Sequence, residues 1–148
     1  MRALVQRVSS AAVTVEDSTI GQIAQGLLVF LGVTTEDTDK DIDFLVDKIS
    51  NLRIFPEQDK EFDKSLLEIK GEALIVSQFT LYADMKKGRR PSFIDAAKPE
   101  FANELYEKFV AKFKQTGLQV KTGTFQAMMQ VSLVNDGPVT IWLDSKKP

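Results

Sequence analysis

A chain of 148 residues, 43% hydrophobic and 27% charged, has the size and composition of one ordinary globular domain, taken here as residues 1–148. Its formal net charge of −2 excludes a bulk coat for nucleic acid, so any polyanion must meet a local patch. The absence of cysteine and histidine excludes disulfides, thiolate or imidazole metal centres, thiol nucleophiles and the Ser-His-Asp design.

The N-terminal stretch MRALVQRVSSAAVTVE has no signal-peptide pattern. The longest apolar run, residues 27–32, falls far short of the ~20 residues of a membrane span. A cytoplasmic protein off the membrane is expected. Residues 2–8 and 12–16 read as a strand pair, followed by strands over 20–24 and 27–33 divided at Gly26. The unbroken run Leu27-Leu28-Val29-Phe30-Leu31 predicts a strand buried on both faces. Residues 38–52 switch period: Ile42, Leu45, Val46, Ile49 and Leu52 form a helical stripe, with Thr38 as its N-cap. Residues 56–64 read as a polar loop, 73–79 as a strand and 83–92 as a second polar loop. A second helix begins at Pro99, carries Phe101, Leu105, Phe109 and Phe113 on one face, and stops at Gly117. Strands over 118–122, 125–134 and 139–143 close the chain, with Met128 and Met129 as core residues. The expected fold is α+β, a single β-rich domain with two amphipathic helices.

Three segments depart from simple core patterning. Ser77-Gln78-Phe79-Thr80 ends an apolar strand in hydrogen-bonding side chains, at the position where rigid scaffolds present reactive groups. The same residues also suit the plain role of satisfying local backbone groups. Asn135-Asp136-Gly137-Pro138 is dense turn chemistry and reads, in isolation, as a β-hairpin connection. Lys86, Lys87, Arg89 and Arg90 form the only dense basic run; without them the rest of the chain carries −6. Such a loop is either simply solvated or a phosphate contact that adds affinity without reading sequence. The carboxylates show no metal-ligand spacing, so no metal and no cofactor are expected.

Taken together, Ser-Gln-Phe-Thr at 77–80 and Asn-Asp-Gly-Pro-Val-Thr at 135–140 resemble the two signature motifs of the D-aminoacyl-tRNA deacylases. The opening Met-Arg-Ala-Leu-Val-Gln-Arg-Val-Ser, Gly26-Leu27-Leu28-Val29, Arg90-Pro91-Ser92-Phe93 and Met129-Gln130-Val131-Ser132-Leu133-Val134 fit in order along the chain. Departures fall at Lys60-Glu61-Phe62-Asp63 and at Gln126, where the family commonly has other residues.

The resemblance implies a two-fold homodimer that hydrolyses the ester at the 3′ end of D-aminoacyl-tRNA, with mischarged glycyl-tRNA as a further substrate to test. It implies that Ser77, Gln78, Phe79 and Thr80 carry the reaction. It also implies that a cis Gly137-Pro138, held by Arg7, reaches into the partner's site and leaves no room for an L side chain. Lys86, Lys87, Arg89 and Arg90 would hold tRNA phosphates; neither DNA nor a membrane is an expected partner. For Thr80 two roles stand: a backbone donor to the oxyanion, or a hydroxyl nucleophile. A non-catalytic dimer that binds RNA ends, and a purely structural β-rich dimer, remain as alternatives to the enzyme.

Overall fold

The computed structural model describes residues 1–86 and 88–147. Strand β1 (Arg2–Val15) is a single strand where the sequence suggests two. It pairs with β2 (Ser18–Ile23) and β3 (Gly26–Gly32), and β8 (Gln130–Asp144) runs antiparallel along it. On the far side of β3, β6 (Glu72–Ser77) and then β7 (Gln119–Thr122) add in parallel. The order is therefore β2-β1-β3-β6-β7, with β8 on β1.

Two irregularities in the β1–β8 ladder, on either side of Val8, change which face β1 presents. Before them Ala3 and Val5 join one apolar cluster; Val8 between them, and Ala11 and Val13 after them, join another. The first cluster lies beneath helices α1 (Asp39–Ser50) and α3 (Pro99–Lys114), where Leu45, Ile49, Phe109 and Phe113 are sealed from solvent. The second lies where β2 curls over β6 and β7. Gly21 permits that approach, since a Cβ there would lie 2.7 Å from the Thr122 carbonyl oxygen. As expected, β3 is buried on both faces: Leu27, Val29 and Leu31 join the first cluster and Leu28 the second.

The helix expected over 38–52 forms as α1. The Thr38 amide donates to the Asp41 carboxylate at 2.8 Å, which closes its N-terminus. The expectation of two helices is corrected to three: α2 (Leu66–Ile69) is a single turn capped by Ser65, whose hydroxyl accepts from the Glu68 amide at 3.2 Å. Residues 56–64 are not a loop. They belong to a hairpin of β4 (Phe55–Glu57) and β5 (Lys60–Lys64), whose charged side chains pair across and along it rather than alternating with apolar ones. Phe101 lies at the exposed edge of α3, outside its buried stripe. Met128 is 92% exposed, because the strand expected from 125 begins only at 130 and the preceding residues form a loop. Among the described residues no helix is long and apolar enough to cross a membrane.

Candidate active site

The parallel pairing of β6 on β3 extends one residue past the strand, with the Gln78 amide donating to the Leu31 carbonyl at 2.8 Å. The chain then folds back into a 3-10 turn over Phe79–Tyr82. Gly32 sits directly beneath; a Cβ there would be 3.0 Å from the Gln78 carbonyl oxygen and 3.1 Å from Leu81 Cβ. Inside the turn the Leu81 amide donates to Gln78 O at 3.3 Å and the Ala83 amide to Thr80 O at 3.0 Å. The amides of Phe79 and Thr80 stand at its start, where a helical turn offers no acceptor. Neither donates to another described residue. The Gln78 side-chain amide donates to the Thr80 hydroxyl, fixing the two side chains together.

Beside this turn lies a cavity of about 620 Å³, within the range that takes a small molecule. Ser77, Gln78 and Phe79 form one wall, and Phe93, Tyr106 and Phe125 the apolar remainder. Phe79 is 57% exposed and meets the Phe93 ring edge-on, centroids 5.0 Å apart. Thr80 is exposed and is not among the lining residues. The Tyr106 hydroxyl donates to the Ile75 carbonyl at 2.8 Å, and burial pushes its pKa well above the ordinary 10.0. It stays neutral and is spent on the backbone. No general base stands beside the Thr80 hydroxyl among the described residues; its bonded neighbour is an amide.

The second motif is not a hairpin connection. Residues 130–144 form one strand, and the Asn-Asp-Gly-Pro segment is a bulge within it, opposite Arg7. Ser10 faces Val134 whereas Gln6, four residues earlier, faces Thr140, six residues later. Strand β8 thus carries a net two residues more than β1 over this span, with three extra opposite Arg7 and one offset by Ser9 on β1. Turn-forming residues make the protrusion, but strand pairing on both sides keeps the chain going forward. The Asn135 side-chain amide bridges it, donating to Arg7 O at 3.0 Å and Val139 O at 3.2 Å. Arg7, 8% exposed, donates from Nε to Asp136 O at 3.0 Å, lies 3.0 Å from the Asp136 carboxylate, and donates from Nη1 to the Ile54 carbonyl. The Gly137-Pro138 peptide bond is cis.

Arg7 thus holds Asp136, the residue before Gly137, but the two motifs do not meet within one chain. From β6 to β8 there are three inter-strand steps of about 4.8 Å, through β3 and β1. Arg7 is level with Leu27 and Ala73, four residues of about 3.3 Å below Ser77. The separation is on the order of 20 Å.

Lys86, Arg89 and Arg90 are exposed and make no ion pair with a described acidic residue; Lys87 lies outside the described residues. Their loop is pinched by two backbone bonds between Asp84 and Ser92, at 2.8 and 2.9 Å. It joins the 3-10 turn to Phe93, which lines the cavity. The aromatic walls Phe93, Tyr106 and Phe125 carry no mark of a site in the sequence. Their convergence from three distant segments is what distinguishes them.

The family model for D-Tyr-tRNA(Tyr) deacylase matches residues 4–144. A D-aminoacyl-tRNA deacylase of Clostridioides difficile is 60% identical over 147 residues, 99% of both chains. One of Thermotoga petrophila is 56% identical over the same length and coverage. Among solved structures, one described as a c-Myc DNA unwinding element binding protein superimposes with a TM-score of 0.91 at 42% identity, covering 97% of this chain and 98% of that one. Another, described as a probable eukaryotic D-amino acid tRNA deacylase, gives 0.86 at 20% identity, covering 96% and 97%, and bears on the fold alone. The fold and the relatives define a β-rich hydrolase, here built without histidine or cysteine. The chain belongs to the D-aminoacyl-tRNA deacylase family and is an enzyme of that class.

Proposed function

We propose that the chain removes D-amino acids from tRNA in a site shared by two copies, one supplying chemistry and the other selection. The observation that carries this is the separation of the motifs: the free amides of Phe79 and Thr80 belong to a turn beside a cavity that Ser77, Gln78 and Phe79 line, while Gly137-Pro138 protrudes on the order of 20 Å away in the same chain. Strand β8 also ends the sheet, with Val134 and Trp142 exposed along it, as a surface that takes a second copy would be. An isologous two-fold contact would bring each bulge to the other's turn.

The cavity receives the aminoacylated terminal adenosine. Water attacks the ester carbonyl carbon, and the Phe79 and Thr80 amides stabilise the oxyanion that develops. Collapse breaks the bond to the ribose oxygen, which takes up a proton, releasing the free amino acid and the tRNA 3′ end. An aminoacyl ester is already activated and its neighbouring ribose hydroxyl can orient the water, so placement does most of the work. Gln78 and Ser77 hold the turn. The partner's Gly137-Pro138, braced by Arg7, rejects an L side chain by contact of backbone with substrate. Glycyl esters, lacking a side chain, pass the same filter. Lys86, Lys87, Arg89 and Arg90 hold phosphates.

Incubation with D-Tyr-tRNA and L-Tyr-tRNA tests the reading: release of the D-amino acid alone is expected, and equal binding of both with no release would leave only an RNA-end-binding dimer. For Thr80, the Thr80→Ala variant should retain turnover, and a substrate lacking the ribose hydroxyl should lose it. An acyl ester trapped on residue 80 by rapid quench and found by mass spectrometry would make Thr80 the nucleophile instead.

A further inference from the structure

The 3-10 turn that carries Phe79 and Thr80 has four residues, too few to hold a fixed shape by its own hydrogen bonds. Something outside must set its pitch, because a donor misplaced by about 1 Å loses most of its effect on a developing charge. Arg2 does three things there. Its Nη1 donates to the Leu81 carbonyl at 2.9 Å, satisfying an oxygen near the turn's end. Its guanidinium lies 4.3 Å from the centre of the Tyr82 ring. Its Nε donates to Asp144 Oδ2 at 3.2 Å.

The anchor side of this arrangement is rigid. Arg2 pairs with Gly32 on one edge of β1 and with Asp144 on the other. Burial alone would raise the Asp144 pKa, but the Lys146 amide and Arg2 outweigh it, so the carboxylate stays charged. The guanidinium is further flanked by the Trp142 ring at 5.6 Å. Arginine suits the place: one plane serves a carboxylate, a carbonyl and a ring face at once, which an ammonium cannot do.

We infer that Arg2 is a positioning residue that fixes the reactive turn to the end of β8, and through it sets the Phe79 and Thr80 amides. This rests on the reading of that turn given above. The inference makes kcat, not KM, the sensitive quantity, because Arg2 does not line the cavity and touches the turn from behind.

The test is steady-state deacylation of D-Tyr-tRNA by Arg2→Ala, Arg2→Lys and Lys48→Ala. Lys48 borders the same surface hollow as Arg2 but, among the described residues, reaches only Phe44, so its variant reports the loss of a neighbouring cation alone. Arg2→Ala should lose about 10- to 100-fold in kcat with KM and the D/L ratio within about two-fold. Arg2→Lys, which keeps charge and stem, should recover only part of the loss and remain folded for assay if the alanine variant does not. Lys48→Ala should match the unaltered enzyme. An Arg2→Lys kcat equal to the unaltered enzyme, or a KM that rises as much as kcat falls, would overturn the inference. If the unaltered enzyme itself fails to distinguish D from L esters, the underlying reading fails instead.

Discussion

The 3-10 turn after β6 and the bulge in β8 are both short polar interruptions of apolar strands, yet they are finished in opposite ways. The turn leaves two amides without acceptors beside a cavity. The bulge is tied down: Asn135 spans it, and Arg7 holds it and the Ile54 carbonyl together. Unspent donors suit a transition state, whose charge appears only during reaction. A segment with its internal hydrogen bonds made suits selection, because a wall rejects only if it does not yield. On the proposed reading, the difference teaches that chemistry and discrimination are built on separate segments and should fail separately.

The sharpest break in the comparison removes one free donor. Phe79→Pro deletes an amide at the first position of the turn, where proline's fixed φ fits and Gln78, at φ −147° and ψ 82°, stays clear of the helical region that a following proline disfavours. Phe79→Ala deletes the same ring and keeps the amide. The proline variant should have a kcat about 10²- to 10³-fold below the alanine variant, with similar thermal melts. Equal rates would remove the amide from the mechanism.

Loosening the bulge should act differently. Arg7→Ala strands the carbonyls of Asp136 and Ile54, so urea titration should report a loss of roughly 2–4 kcal/mol. The D/L ratio should fall by more than turnover does. A fall in turnover with the ratio intact would assign Arg7 to the chemistry side.

These regions are unequally legible in the sequence. Elements with a long apolar period are readable: the run at 27–31, and the α1 stripe of Ile42, Leu45 and Ile49 behind Thr38. Both motifs are readable as residues, because Ser, Gln and Thr at the end of Ala-Leu-Ile-Val break a pattern. What Asn135-Asp136-Gly137-Pro138 builds is not. Turn chemistry specifies a local change of direction, and only β1, pairing on both sides, makes it a bulge rather than a hairpin. The β4–β5 hairpin is hidden because Lys60, Asp63 and Lys64 bond to one another and to Arg53 and Glu57 instead of covering a core. Helix α2 is hidden by its brevity, although Ser65 and Glu68 carry the capping spacing. The cavity wall and the partners of Arg2 come from distant segments, and no local window contains them.

A smaller effect should separate affinity from both functions. Neutralising Lys86, Arg89 and Arg90 together with Lys87 should raise KM and flatten its salt dependence, by up to about 0.9 in log–log slope for each phosphate no longer neutralised. The D/L ratio should not change. An unaltered slope would make the loop merely solvated.

The smallest expected effect is on acid stability, remote from both segments. Burial pushes the Asp41 carboxyl up, but bonds from Ser145, Lys146 and Thr38 outweigh it and hold its pKa far below the ordinary 3.8. The contribution is therefore complete above about pH 4 and lost as pH falls through the lowered folded value. Thermal melts from pH 7 to pH 3 should decline less steeply in Asp41→Asn than in the unaltered chain, and parallel declines would discount the network.

The central claim, that one copy reacts while another selects, has a direct test in mixed dimers. Because β8 carries a net two extra residues between the Ser10–Val134 and Gln6–Thr140 pairs, deleting Gly137 and Pro138 levels the residue count of the two strands over that span and should leave a folded chain without its selector. That variant and Phe79→Pro should each be nearly inactive or unselective toward D-Tyr-tRNA on their own. Refolded together, they should regain D-selective turnover, since a mixed dimer contains one site with an intact turn from one copy and an intact bulge from the other. Activity no greater than the sum of the two separate variants would contradict the account.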